Sequence, residues 1–100
     1  MVKHIILWQL KDELAENEKI QVKEEIKAGL EALLGKIEGL TEIKVYIKGL
    51  DSSNADLMLY SVFENEAALT GYAVHPEHVA VADTKVRPYT KTRLCLDFED

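Results

Sequence analysis

The hydrophobic positions change period along the chain, and the changes mark its elements. Val2 to Leu10 alternates, with Val2, His4, Ile6, Trp8 and Leu10 on one side and Lys3, Ile5, Leu7 and Gln9 on the other. The middle of both sides is apolar, which predicts a strand covered front and back. After the charged connection Lys11 to Glu18, Val22, Ile26, Leu30, Leu33 and Ile37 recur at spacings of three and four. This predicts an amphipathic helix of about five turns, capped by Asn17 and ending near Gly35 to Gly39. Thr41 to Gly49 reads as a second strand, Leu50 to Ala55 as a turn and Asp56 to Glu64 as a third strand, again apolar on both faces. Asn65 is placed to cap a second helix running to about Val74. His75-Pro76 interrupts it, because a residue before proline resists the helical region. Pro76 then suits the first position of a short third helix through Ala82, with His75 as its cap. Lys91 to Phe98 is the last strand, with Thr92, Leu94, Leu96 and Phe98 against Arg93, Cys95 and Asp97.

The order strand, helix, strand, strand, helix, strand is the split βαβ, ferredoxin-like arrangement, an α+β fold in which helices cover one face of a four-stranded antiparallel sheet. The other face would carry Ile5, Leu7, Met58, Tyr60 and Val62 or their alternates. An open apolar sheet face is an association site, so the expectation is a homodimer whose two sheets meet in a shared barrel-like core. The alternative is a monomer with an unusually apolar sheet.

Composition narrows the partners. The 100 residues suit a single domain, residues 1–100, and a chain this short buries only about two-thirds of its unfolded surface, so a second copy would help it. No apolar run approaches the ~20 residues that span a bilayer, and the start does not read as a signal peptide. A single cysteine, Cys95, forms no internal disulfide and points to the cytoplasm. A net charge of −6 argues against nucleic acid as the main partner.

Candidate chemistry is confined to a few side chains. His4 shares a strand face with Ile6 and Trp8 and has the chemistry of a base, although a partly buried histidine bonded to its neighbours is the commoner case. His75 and His78 stand three apart, a spacing that can hold zinc, but a proline lies between them and no third ligand is near, so no metal is expected. Tyr72 and His78 would face the space between sheet and helices, suited to polarising a carbonyl-containing ligand. Cys95, mid-strand in an apolar setting, reads as an inert buried thiol, and Asp97 as a carboxylate paired with a cation. Neither a Gly-rich phosphate loop nor a nucleophile triad is present.

The segments VKHIILWQLKDE, YAVHPEHVAVAD and LCLDFED together resemble the stress-responsive dimeric α/β-barrel domain family, Dabb, over nearly the whole chain. The resemblance implies the dimeric α/β barrel. One plant member is a cyclase that closes a polyketide ring in the pocket between sheet and helices. Tyr72 and His78 match its catalytic pair, with His78 as general base and Tyr72 as its hydrogen-bonding partner, and His4 matches a pocket histidine. Two positions depart: Leu57 stands where the cyclase has a histidine, and the first helix has no tyrosine between Glu18 and Ile37. Some plant relatives hold magnesium through backbone carbonyls, which leave no sequence signature.

The expectation is therefore a homodimeric binding protein with a pocket for a small apolar ligand lined by His4, Ile6, Trp8, Leu57, Leu59, Tyr72 and His78, without a cofactor. The alternative is a cofactor-free, cyclase-like enzyme using Tyr72 and His78.

Overall fold

A computed structural model describes residues 1–100. The chain forms β1 (Val2–Leu10), α1 (Glu16–Glu31), β2 (Leu40–Tyr46), β3 (Leu57–Phe63), α2 (Glu66–Val74), α3 (Pro76–Val81) and β4 (Thr90–Glu99). The strands make one antiparallel sheet in the order β2-β3-β1-β4, which is the ferredoxin-like arrangement expected. No helix is long and apolar enough to cross a membrane.

Alternation decides which side chains go where. Register pairs His4 with Ser61 and Asp97, Ile6 with Leu59 and Cys95, and Trp8 with Leu57 and Arg93, so these share the helix-facing side of the sheet. There Ile6, Trp8, Leu57 and Leu59 join Val22, Ile26 and Leu30 of α1 in the buried core. The opposite face presents Ile5, Leu7, Met58 and Tyr60 as expected, and β4 adds Leu94, Leu96 and Phe98, with Leu94 and Leu96 62% and 63% exposed. Val62 lies on this face too but is already buried, beside the shift of register between Leu40 and Glu42.

Four boundaries differ from the sequence expectation, one of them being β2, which ends at Tyr46 and not at Gly49. Helix α1 starts before Asn17, because Ala15 is the extended cap and the Glu18 carboxylate reaches back to accept the Ala15 N–H at 2.9 Å. It also stops at Glu31, so Leu33 and Ile37 enter the core from turns, not from a helical face. The chain then reverses through Gly39 at φ 85°, where a Cβ would collide with Ala68 of α2. Beyond α3, Ala82–Val86 form a π-helical turn and Arg87–Tyr89 a 3₁₀ turn that periodicity did not indicate. The caps at Asn65 and His75 stand as expected: Asn65 Oδ1 accepts the Ala68 N–H at 2.9 Å and His75 Nδ1 accepts the Glu77 N–H at 3.1 Å.

Candidate functional site between sheet and helices

The helical layer does not close over β1 and β4. A cavity of about 400 Å³ remains, lined by His4, Ile6, Trp8, Leu30, Leu59, Tyr72, His78, Ala82, Val86, Arg87, Thr90 and Arg93. That volume falls within the range of small-molecule sites. The π-helical turn supplies Ala82 and Val86, and its extra residue per turn carries the chain around the opening to Arg87. Six of the seven pocket residues named from sequence line this one cavity. Leu57 does not; it is buried in the core beside Trp8.

Tyr72 is the least ordinary of them. It is 1% exposed, and its hydroxyl has no hydrogen-bond partner. Its ring packs edge-on against Phe63 at 5.0 Å and lies 4.2 Å from the His78 ring at a 33° tilt. The pair is therefore stacked, not joined by a hydrogen bond. Burial pushes the phenol well above the usual tyrosine range, against a smaller opposing effect from the Arg93 charge, so Tyr72 offers an O–H donor and not a phenolate.

The two cavity histidines are held by different partners. His78 Nδ1–H donates to the Ala73 carbonyl at 3.3 Å. Burial is the main cause that lowers its pKa, with Arg87, His4 and Arg93 adding repulsion, so the ring is neutral at pH 7 and Nε2 is free to accept. His4 Nδ1 meets Asp97 Oδ1 across the β1–β4 pair. A carboxylate only accepts, so the His4 Nδ1 carries a proton toward it. Asp97, expected to pair with a cation, instead pairs with the imidazole of the site.

Cys95 departs from its expectation. It is exposed, because β4 is an edge strand whose helix-facing side is left open beyond the cavity. Its Sγ lies 3.5 Å from Asp97 Oδ1 and 3.9 Å from His4 Nδ1. Partial shielding of Sγ from water and the Asp97 carboxylate, opposed by Arg93, raise its pKa, so it is a thiol at neutral pH. His4 Nδ1, Cys95 Sγ and an Asp97 oxygen lie within 4.8 Å of one another, the group best placed to hold a metal. The His75–His78 pair is not such a group, since His75 Nδ1 caps α3 and His78 faces the cavity.

Sequence reasoning missed Arg87, Arg93 and Thr90, which also line the cavity. The alternation of β4 carried the signal for Arg93, which shares a face with Cys95 and Asp97, but nothing in the sequence assigned that face to the helices.

Among known proteins, the family model of the stress responsive A/B barrel domain, Dabb, matches residues 2–100. Nothing among curated proteins matches the chain. A dimeric protein of unknown function with a ferredoxin-like fold from Bacteroides fragilis is similar at 35% identity and a TM-score of 0.93, over 99% of this chain and 95% of that chain. A Dabb family protein with a ferredoxin-like fold from Mesorhizobium loti matches at 20% identity and a TM-score of 0.78, over 99% and 95%. A hydroxynitrile lyase from Passiflora edulis matches at 19% identity and a TM-score of 0.74, over 97% and 90%. At these last two identities the likeness is one of fold.

Proposed function

The chain belongs to the stress-responsive A/B barrel domain family, and from that membership we propose a homodimer that holds a small, mainly apolar ligand between sheet and helices. On this reading the protein is cytoplasmic and stress-associated and binds its ligand without turnover. The observation that carries the ligand is the buried Tyr72 hydroxyl, which has no partner and stands in the wall of a cavity whose other buried residues are mostly apolar. A buried donor left unpaired costs about 1–3 kcal/mol, and a ligand carbonyl would recover it. The dimer is supported by the exposed Leu94, Leu96 and Phe98 beside Ile5 and Leu7, and by the dimeric state of the Bacteroides fragilis relative.

Two measurements test the reading. Light scattering at micromolar concentration should give twice the chain mass of 11.3 kDa, and Leu96→Asp should give the monomer. A wild-type species at the chain mass defeats the dimer. Trp8, the single tryptophan, stands in the cavity wall and reports occupancy by its fluorescence. Titration with decanol or decanoate should change that fluorescence saturably; no response to either ends the ligand reading.

A second reading rests on the orientation of His4 by Asp97 and the neutrality of His78. An imidazole Nε2 would take a proton from the carbon next to a ligand carbonyl while the Tyr72 O–H donates to the enolate oxygen. Turnover of β-polyketones that is lost in both Tyr72→Phe and His78→Ala would favour it over simple binding.

A further inference from the structure

The charge around the cavity is opposite to that of the chain. The protein carries −6, yet no Asp or Glu lines the cavity, whereas Arg87 and Arg93 do. Arg87 has a local counter-charge in Asp83. Arg93 makes no ion pair at all. Register puts it opposite Trp8 on the helix-facing side, and its exposed position sets the guanidinium at the solvent edge, above a floor of buried Ile6, Leu30 and Leu59. Its charge is felt inside, where it acts on both His78 and Tyr72.

Arg93 at the mouth and the Tyr72 hydroxyl within are both donors; Arg93 has no carboxylate partner and the hydroxyl has no hydrogen-bond partner. Such a site asks the ligand to bring the acceptors and a negative charge. From this geometry we infer that the cavity takes an organic monocarboxylate, its apolar body against Ile6, Leu30 and Leu59 and its carboxylate on the Arg93 guanidinium. One unpaired guanidinium, planar and forked, matches one carboxylate in charge and shape. A fully ionised phosphate would bring more charge than this single free cation balances. The inference rests on the ligand-binding reading and narrows it, since an apolar ligand without charge would leave Arg93 unused.

The test compares decanoate with decanol, which share an apolar body and differ in the head, using Trp8 fluorescence at pH 7.5. Decanoate should bind about tenfold or more tightly than decanol, the scale of a charge-assisted hydrogen bond. In Arg93→Gln that preference should fall to near unity, and in Arg93→Lys, which keeps the charge but not the fork, it should be intermediate. Equal affinities for decanoate and decanol in the wild type overturn the carboxylate inference while leaving the ligand-binding reading intact. A preference that survives in Arg93→Gln overturns the assignment to Arg93. Binding of neither probe removes both the inference and the reading beneath it. Arg93 is exposed and on an edge strand, so loss of fold is not the expected cause of any change, and retained decanol binding in the variant checks this.

Discussion

Strands β2 and β4 are the two edges of one sheet, and the helical layer treats them differently. At β2, helix α1 lies across the edge and supplies what a neighbouring strand would. Glu31 Oε2 accepts the Val45 N–H at 2.9 Å, Lys27 Nζ donates to the Val45 carbonyl at 2.9 Å, and the two side chains pair at 2.7 Å. The Ile43 and Val45 side chains are buried beneath. At β4 the layer is made of short pieces, α3 and the π-helical and 3₁₀ turns, and it leaves the cavity and an exposed row from Arg93 onward. An edge strand left bare invites pairing with other chains, so covering β2 has its own value. The difference teaches how unevenly the chain satisfies its own groups: the β2 half is satisfied within the chain, while the β4 half leaves Tyr72 and Arg93 unpartnered.

That division is broken most directly from the satisfied side. Ile26, fully buried between α1 and the sheet, should cost about 2–5 kcal/mol on truncation to alanine, measured by urea unfolding. A loss under 1 kcal/mol would mean that α1 is loosely packed and that the two halves do not differ in the way described.

The next effect tests the edge itself. Burial alone would raise the Glu31 carboxyl, but Lys27, the Val45 N–H and Lys44 outweigh it and hold the pKa below its ordinary 4.5. A depressed carboxyl contributes stability that is present above its unfolded value and is lost as pH falls through the folded one. Glu31→Ala should therefore cost about 1–2 kcal/mol at pH 7, and the gap from wild type should shrink below pH 4.5. A gap independent of pH between 7 and 3 would show that the carboxylate charge has no part in securing β2.

How far the sequence could be read follows the same line. Element order, both caps around α2 and α3, and the two-faced sheet were legible because period, proline and Asx chemistry act locally. His4, Ile6, Trp8, Leu59, Tyr72 and His78 were placed together because strand alternation and the Dabb resemblance agree on one face. What was not legible depends on distant partners. Cys95 looked buried because its neighbours are apolar, yet exposure is set by which helices reach β4. Asp97 looked structural because its distance from His4 in sequence hides their pairing across the strands. Arg93 carried no role in the sequence because only the β1–β4 register turns it toward the cavity, and the π-helical turn has no periodic signature at all.

The smallest expected effect is also the sharpest on the unpartnered side. Tyr72 spends its hydroxyl on nothing within the chain, and Phe fills the same space without it. If the hydroxyl is kept for a ligand, Tyr72→Phe should stabilise the ligand-free protein, by up to about 1 kcal/mol, because the cost of the unpaired buried donor disappears while the packing contacts of its oxygen are lost with it. For a domain of this size that is a rise in Tm of up to about 4–8 °C by differential scanning fluorimetry. The same substitution should weaken the bound state, so the gain should shrink or reverse at saturating ligand. A group that lowers stability when empty and raises affinity when filled is the usual trade at a binding site. A loss of stability in the ligand-free variant would instead mean that the hydroxyl already has a partner, and the contrast between the two edges would then rest on Arg93 alone.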